Sequence, residues 1–524
     1  QVRRHSAVWP SVLFAMLHVW LVSVTLALAC IIVSSSTILP GHCDAAAVGG
    51  GWAGVYYAFR MATSGVSTCL FEASDRIGGR TYSHTFRAGS RNENFTLDVG
   101  AYRFSPDMHL PGDVILKVLK LPVSCYEPSC PPASQEFPPP FHFNYTAPLV
   151  RIVGADGLPV GYVTALMGMV EVIKAHGGRV FYNARVTDLA PGPRGKGITL
   201  VFDNAHVAAE HVLLNLPRHE LLRLNRFKAA LPARTVKMQQ CIKFDVPASL
   251  FPPGHKFVLG RSLTKAYAFY EEAWWHTRLN RTQGQWPNNA FVPLNTSVGI
   301  PIGIHFNDGP VRCDAPLVGC RGFLEVFYAT APETFFEDMR PDAYHPLGVL
   351  SAKNDTKGQL ARLHSAVMEA TRPLFWAASK PQPAAAPTLL AVGVWDRSGK
   401  GYTAPTKVYY SSAADVPGGP DPLEKACGVP GLSDAEYRRT VLAPLPGLGA
   451  KVVVANNDWV AQTTETMFGD WAEESLLQAE QGLRIQGLNR PEWLDAAYYN
   501  NKVLDVLAGD IVEFGSPPTA AVVV

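Results

Sequence analysis

The chain has little charge and no cluster of basic residues. Of its 524 residues 17% are charged, and the formal net charge is +2. No stretch combines clustered lysine and arginine with interleaved aromatic residues, the pattern that nucleic-acid-binding surfaces show, so we predict no nucleic-acid partner. Internal repeats are absent as well. The length, with 47% hydrophobic residues, predicts a globular protein of two or more domains.

Cysteine patterns typical of metal sites are also missing. None of the nine cysteines forms a CxxC pair or is matched by histidines at zinc-finger spacing, so we predict no metal site. Two pairs that are close in sequence, Cys125 with Cys130 and Cys313 with Cys320, instead predict disulfides, with free buried thiols as the alternative. Five glycosylation sequons agree with an oxidising compartment, although such short patterns also arise by chance. They begin at Asn94, Asn144, Asn280, Asn295 and Asn354.

The first forty residues indicate the secretory pathway. Residues 12–33 are nearly uncharged, follow Arg3 and Arg4, and are long enough to span a hydrocarbon core of roughly 30 Å as a helix. They predict a signal peptide or signal anchor within residues 1–42, because the run is longer than a typical signal core but contains an Ala-Leu-Ala cleavage pattern. We expect a secreted or membrane-anchored extracellular protein. Anchoring and oligomeric state are left open, a homodimer being one option.

A glycine-rich turn is the most informative motif. Gly49, Gly51 and Gly54 form a GxGxxG pattern between a β-type run and an amphipathic helix. The first glycine permits a tight turn, the second lets the backbone approach a pyrophosphate, and the third lets the helix pack closely on a sheet. A GxGxxG pattern alone is weak evidence, since many such matches are only tight loops.

The sequence after the glycines strengthens this interpretation. The N–H groups at the helix start, near Trp52 and Ala53, would face the phosphates, and the helix is expected to end near Thr63. The next β-run ends at Glu72, where an acid can accept hydrogen bonds from a ribose. Strand, turn, helix, strand and acid in this order predict a bound dinucleotide.

A second loop, Gly78-Gly79-Arg80, favours FAD over NAD. With this loop the chain resembles the flavin-dependent amine oxidase superfamily, in which the segment brings an arginine, here Arg80, to the FAD phosphates. A solvated turn is the alternative interpretation of Arg80. The chain contains no counterpart of the Ser-Gly-Cys-Tyr-Thr segment that binds flavin covalently in monoamine oxidases. The resemblance therefore implies noncovalent FAD.

The resemblance also implies an α/β fold with two domains. The FAD-binding domain is Rossmann-like, of the glutathione-reductase type, and discontinuous, with a mixed-sheet substrate domain of the amine oxidase type. We predict residues 43–105, 161–222 and 393–490 for the first, residues 106–160 and 223–392 for the second, and a tail at 491–524. The FAD contacts that it implies, besides the glycine turn and Arg80, are Glu72, Ala73, Gly100, Ala101, Tyr102, Arg103, Val186, Asn457, Trp471 and Ala472.

Four residues are candidates for substrate binding or catalysis. Arg103 follows Gly100-Ala101-Tyr102, and the resemblance to L-amino-acid oxidases implies that it binds the substrate carboxylate, for which a guanidinium offers two parallel hydrogen bonds. Lys237 matches the lysine that the superfamily places near the flavin N5 through a water. Tyr328 would help hold the carboxylate, and Trp471 would line the pocket. The alternatives are structural roles, with Lys237 exposed and Tyr328 a packing residue.

The resemblance implies an L-amino-acid oxidase. Hydride would pass from the substrate Cα to FAD, dioxygen would reoxidise the flavin to give hydrogen peroxide, and imine hydrolysis would give a 2-oxo acid and ammonia. The partners are then a small amino acid or amine and dioxygen. The alternatives are a monoamine or polyamine oxidase of the same fold and a non-catalytic flavin-binding protein.

Overall fold

The elements below come from a computed structural model of the protein. It describes residues 38–126, 149–193, 196–233, 235, 263–288, 292–329, 334–341, 345–395, 408–410, 442–456, 461–463 and 472–507. Every helix and strand among them lies in the compact unit formed by residues 41–524.

The strands of the described residues are numbered in chain order. They are β1 His42–Val48, β2 Thr68–Phe71, β3 Ser83–Ala88, β4 Glu93–Asp98, β5 Val123–Cys125, β6 Val150–Ile152, β7 Arg179–Phe181, β8 Asp188–Pro191, β9 Ile198–Val201, β10 His206–Leu214, β11 Leu263–Tyr270, β12 Gln285–Trp286, β13 Ile304–His305, β14 Val311–Arg312, β15 Arg321–Ala329, β16 Leu347–Ser351, β17 Leu389–Trp395, β18 Val408–Tyr410, β19 Val452–Val454 and β20 Ala461–Thr463.

The α-helices of the described residues are numbered in the same way. They are α1 Trp52–Thr63, α2 His109–Asp113, α3 Val163–Ala175, α4 Arg218–Leu221, α5 Asn225–Ala230, α6 Trp274–Thr277, α7 Thr334–Glu337, α8 Gln359–Ala377, α9 Ala472–Ile485, α10 Ala496–Tyr499 and α11 Asp505–Leu507.

The first sheet has seven strands in the order β7-β2-β1-β10-β9-β8, with β19 also paired to β10. Its centre is parallel, since β1 pairs in parallel with β2 and β10, and β2 with β7. The long strand β10 serves two partners: its first half pairs antiparallel with β9, and its second half pairs in parallel with β19. Helices α1, α3 and α9 contribute buried apolar residues to the core that also contains residues of this sheet. The predicted α/β fold with a Rossmann-like sheet is confirmed.

The sequence predicts the elements around the glycine turn well. Helix α1 ends at Thr63, as its apolar periodicity predicts, and Gly65 follows with a φ of 80°. Further along the chain, helix α3 is followed by a turn at Gly177 and Gly178 and then by strand β7. The limits of the two predicted domains remain predictions.

The second sheet is antiparallel throughout. Its order is β12-β13-β15-β11-β17-β16, and β14 also pairs with β15. The apolar face of α8 forms one core with this sheet, in which Trp274 and Trp275 are fully buried. On the opposite face of the second sheet, a smaller core packs the β3–β4 hairpin against the sheet through Phe95, Phe269 and Phe323. The second sheet is therefore covered on both faces.

Two disulfides are defined. Cys313 and Cys320 are bonded, which confirms that predicted pair. Cys43 and Cys69 are also bonded and cross-link β1 to β2; this bond was not predicted. Cys125 is in a disulfide, but its predicted partner Cys130 lies outside the described residues.

The predicted signal or anchor segment lies almost entirely outside the described residues. Within the part of the chain that the structure describes, no helix combines the length and the apolar composition needed to cross a membrane.

A buried ion pair joins the first and last long helices of the first domain. The Arg60 guanidinium of α1 donates to the Glu480 carboxylate of α9, and their side chains are only 3% and 1% exposed. Tyr56 donates to the same carboxylate at 2.7 Å, and Arg60 Nη2 donates to the Asn489 carbonyl at 2.7 Å. Glu480 Oε2 and the Arg60 guanidinium are therefore paired within the protein, whereas Glu480 Oε1 is buried without a hydrogen-bond partner among the described residues.

We expect Glu480→Ala to lower the free energy of unfolding by about 3–5 kcal/mol, because it leaves the buried Arg60 charge without its partner. Urea unfolding of both proteins measures the difference. Glu171→Ala is the control: its ion pair with Lys174 is exposed and should contribute less than about 1 kcal/mol. Equal losses for the two variants would contradict the account of the buried pair.

Candidate active site

A cavity of about 1030 Å³ is lined by both sheets and by the loops between them, and it contains most of the predicted site residues. Its volume is at the upper end of the range of about 300–1,000 Å³ for small-molecule sites. The predicted residues that line it are Gly49, Gly51, Trp52, Glu72, Ala73, Arg80, Gly100, Ala101, Tyr102, Arg103, Val186, Tyr328 and Ala472.

Five predicted residues are not in this lining. Ala53 and Gly54 are buried in the first turn of α1. Lys237, Asn457 and Trp471 lie outside the described residues, so their assignments stay predictions.

The glycine turn is shaped as a phosphate site requires. Gly49 has a φ of 102°, and a Cβ there would lie 2.2 Å from the Asn215 carbonyl oxygen. A Cβ on Gly54 would lie 1.9 Å from the Gly49 carbonyl oxygen, so helix and turn approach closely only with glycine. Helix α1 starts at Trp52 without a side-chain cap on Gly51, and both residues line the cavity. An uncapped helix N-terminus with close backbone access fits a pyrophosphate.

Glu72 directly follows β2 and lies beside the glycine turn. Its Oε2 accepts a hydrogen bond from Gly50 N–H at 2.6 Å, and its Oε1 accepts from Ser74 N–H at 2.8 Å. These bonds hold the carboxylate at the cavity wall, where the remaining lone pairs can accept from ribose hydroxyls. The residues of the first motif therefore fit a dinucleotide.

The second loop is joined to the segment that carries Arg103. Ala101 N–H donates to the Arg80 carbonyl at 3.1 Å, and Gly100 N–H donates to the Tyr82 carbonyl at 3.3 Å. Trp52 Nε1 donates to Thr81 Oγ1 at 2.9 Å, which ties the same loop to the start of α1. The glycine turn, the Gly-Gly-Arg loop and the Gly100–Arg103 segment thus form one continuous wall.

Three successive carbonyls, beginning at the last residue of β4, accept hydrogen bonds from side chains of the second sheet. They lie where the chain leaves the β3–β4 hairpin, and they need other partners because buried carbonyls are rarely left unpaired. The three bonds are Tyr267 Oη to Asp98 O (3.2 Å), Trp395 Nε1 to Val99 O (2.7 Å) and Lys265 Nζ to Gly100 O (2.8 Å).

Two glycines make this approach possible. A Cβ on Gly393 of β17 would lie 2.3 Å from the Val99 carbonyl oxygen, and a Cβ on Gly100 would lie 2.1 Å from the Arg80 carbonyl oxygen. The segment from Asp98 to Gly100 is therefore enclosed between the first domain and the second sheet.

Among the described residues, Lys265 is buried directly behind the wall of this site, although it is not itself in the cavity lining. It lies on β11, is 0% exposed, and its Nζ is 3.5 Å from the Tyr102 ring centroid and 4.8 Å from that of Tyr328. Burial lowers the pKa of Lys265 to about 8, against the opposing effect of Glu325 and other carboxylates. A lysine with this pKa changes charge within the physiological range.

The sequence analysis missed Lys265. The available signal is a lysine within the run Leu263–Tyr270, where the other residues are mostly alanine, tyrosine and phenylalanine. A lysine in such a run lies either on an edge strand or in a buried functional site. Because β11 is a central strand, the second interpretation applies to Lys265.

Arg103 lines the cavity next to Tyr102. Its guanidinium carbon is 4.7 Å from the Tyr102 ring centroid and 4.5 Å from that of Tyr126. The Tyr102 ring thus makes cation–π contacts with both Arg103 and Lys265. Tyr328 packs edge-on against Tyr102 with centroids 6.2 Å apart.

Asn456 stands next to the predicted contact Asn457. It lines the cavity, its N–H donates to Gln478 Oε1 at 3.0 Å, and its Nδ2 donates to the Leu216 carbonyl at 2.7 Å. These bonds connect the end of β19 to α9 and to the residues after β10. Ala472 and Ser475 bring the first turn of α9 to the same wall.

Comparisons with known proteins agree with this geometry. A family model described as an NAD(P)-binding Rossmann-like domain matches residues 48–110. No curated protein sequence matches the chain.

Two solved structures of putrescine oxidase are similar to this chain. A double mutant from a redesign of cofactor binding gives a TM-score of 0.51 at 15% identity and covers 85% of this chain and 99% of its own. The wild type bound to putrescine gives 0.50 at 14% identity with the same coverage. The resemblance stated from the sequence is thus confirmed at the level of the fold: the chain has the fold of putrescine oxidase.

Proposed function

We propose that the protein is an FAD-dependent oxidase that deaminates L-amino acids to 2-oxo acids, ammonia and hydrogen peroxide. The observation that carries the proposal is Arg103, which lies in the cavity wall next to Tyr102 and Tyr328. A guanidinium there can bind a carboxylate through two parallel hydrogen bonds. The localisation, secreted or membrane-anchored, is proposed from the sequence alone.

The charges along the cavity support a substrate with a carboxylate. The carboxylates among its described lining residues are Glu72, Asp75 and Glu220, which lie near the ends of β2 and β10. The lining around Tyr102 and Tyr328 contributes the cation of Arg103, with Lys265 buried beside it. A negatively charged group is favoured between two cations at low dielectric constant.

The chain's own residues then have distinct tasks. When bound, FAD would supply the acceptor for the substrate hydride and the electrons for dioxygen. Arg103 would hold the carboxylate and so orient the Cα, and Trp395, held by its bond to Val99, would shield the site from water. We propose that Lys265, rather than Lys237, is the lysine that orients water and stabilises negative charge beside the cofactor.

An amine or polyamine oxidase is the second candidate. It is supported by the fold neighbour putrescine oxidase, one structure of which has putrescine bound. Without a substrate carboxylate, Arg103 would be a structural cation stacked between Tyr102 and Tyr126. A non-catalytic flavin-binding protein is the third option, in which neither class of substrate would reduce the flavin.

Arg103→Lys tests the substrate assignment. We expect KM for L-amino acids to rise about tenfold to a hundredfold, because a lysine loses the two-bond geometry and with it about 1.5–3 kcal/mol. Steady-state oxygen uptake measures KM and kcat. Arg312→Lys, at a partly exposed arginine paired with Asp156, is the matched control and should leave both constants unchanged. Unchanged KM in Arg103→Lys, with amines as good substrates, would favour the second candidate.

Gly51→Ala tests the phosphate site. The added Cβ lies at the uncapped start of α1, within 2.8 Å of the Asn215 side chain, and should weaken FAD binding about tenfold, or about 1.4 kcal/mol. The ratio of flavin to protein absorbance after dialysis gives the loss. Gly447→Ala, where a Cβ meets nothing within 4 Å, should retain full FAD. Equal FAD content in the two variants would show that the glycine turn is not the cofactor site.

Lys265→Met tests the lysine assignment. The protonated ammonium predominates below its pKa of about 8, so reoxidation of the reduced flavin by dioxygen should slow as the pH rises through about 8. The methionine variant should be about a hundredfold slower and lack this pH dependence. Stopped-flow absorbance measures both rates. A variant that reoxidises like the wild type would refute the role of Lys265.

A further inference from the structure

A cluster of ionisable side chains lies beside the proposed site and is not used by the proposed reaction. His305 of β13 and Glu325 of β15 are 2% and 0% exposed, and Asp308 follows β13. One side-chain ligand atom from each of the three lies within 4.8 Å of the others. None of the three is in the cavity lining. Such a cluster costs free energy to bury, so it calls for an explanation.

A β-bulge places this cluster next to Lys265. Lys265 pairs with Tyr328 and Tyr267 pairs with Glu325, and the register shifts between them at Ala266. The extra residue on β15 lets Glu325 and Tyr328, three positions apart, share the sheet face of Lys265, while Val326 and Phe327 join the core on the other side. His305 is the direct cross-strand partner of Glu325.

Short polar contacts connect the cluster to both cations of the site. His305 Nδ1 is 3.0 Å from Glu325 Oε2, and ligand oxygens of the Glu325 and Asp308 carboxyls lie within 4.8 Å of each other. The Tyr126 hydroxyl donates a hydrogen bond to the Asp308 carboxylate, and the Arg103 guanidinium lies over the Tyr126 ring. On the other side the His305 ring is 5.5 Å from the Tyr328 ring, which also contacts Lys265.

Burial and the proximity of the second carboxyl favour a proton on Glu325. Burial and the nearby Asp308 charge raise the pKa of Glu325 to about 7. Burial alone would raise the pKa of Asp308, but the Glu325 hydrogen bond and the surrounding cations lower it. Burial opposes charge on His305, yet the Glu325 contact raises its pKa. The other ionisable groups that act on the cluster are Tyr126, Tyr267, Tyr328, Asp98, Arg103 and Lys265.

We propose that Glu325, Asp308 and His305 form a proton-sharing cluster of positioning residues that controls the charge of Lys265 through the shared face of β11 and β15. The inference deepens the proposed function, since it concerns the lysine of that reaction. At neutral pH the carboxyl pair holds one proton. As the pH rises, this proton leaves for solvent, and the new carboxylate charge favours the ammonium form of Lys265.

A metal ion is the competing explanation, since one imidazole and two carboxylates are suitable ligands. The neighbourhood argues against it. Arg103 and Lys265 already place two cations near these carboxylates, and the oxygens bind the His305 ring and the Tyr126 hydroxyl.

The first experiment needs no turnover. Infrared difference spectra of the purified holoprotein between pH 6 and pH 9 should show the carbonyl stretch of a protonated carboxyl that disappears as the pH rises. Glu325→Gln should lose the part of this band that comes from the cluster, while the buried Glu473, whose pKa burial also raises to about 7, should keep its own contribution. Asp308→Asn should keep the cluster's part of the band but shift its titration to lower pH, because the neighbouring negative charge is gone. Glu272→Gln, at a carboxylate paired with Arg278 in the same domain, is the control and should leave the band unchanged.

The second experiment measures the protonation of Lys265 through the pH dependence of flavin reoxidation. Holoprotein reduced with dithionite is mixed with dioxygen across the pH range, which requires no amino acid. In Glu325→Gln the alkaline limb of the reoxidation rate should move to lower pH by about one unit, because the carboxylate no longer supports the ammonium. Glu272→Gln should keep the wild-type limb.

Three results would overturn the inference: no carboxyl band in the wild type, an unmoved alkaline limb in Glu325→Gln, or one divalent metal ion per chain that Glu325→Gln loses. Because neither experiment uses an amino acid, failure of amino acids to reduce the flavin would refute the proposed function and leave the test of the cluster intact.

Discussion

The contact between three successive carbonyls, Asp98 to Gly100, and the second sheet is the constraint on which the site depends. Each carbonyl accepts one hydrogen bond from Tyr267, Trp395 or Lys265, and the same segment bonds on its other side to the Gly-Gly-Arg loop. The second sheet is thereby held at a fixed distance from the first sheet. Glycine at positions 100 and 393 is required because a Cβ would occupy the contact.

This contact also decides the electrostatics of the site. The lysine that donates to Gly100 is buried, so its pKa falls to about 8, and its ammonium and the Arg103 guanidinium both lie near the Tyr102 ring. Both cations are then near the cavity wall, with buried carboxylates of the second sheet behind them as counter-charge. An arginine suited to binding a small anion, beside a lysine that can lose its proton, is the combination that the proposed amino acid oxidase requires.

The sequence predicts the local parts of this arrangement and misses the non-local ones. Helix α1, the acid at Glu72 and the Cys313–Cys320 disulfide follow from short-range pattern and spacing, and the structure has all three. Lys265 and the Cys43–Cys69 bond depend on which strands pair. The bulge at Ala266 depends on pairing register, which residue patterns alone do not reveal. For the same reason Glu325 gives no signal in the sequence.

The most direct measurement of the central claim is anaerobic titration of the purified protein with single L-amino acids and simple amines, followed by visible absorbance. The account predicts a yellow protein whose flavin absorbance is bleached stoichiometrically by at least one L-amino acid and not by the amine that lacks its carboxylate. A protein without flavin, or one bleached equally by the amino acid and by that amine, would contradict it.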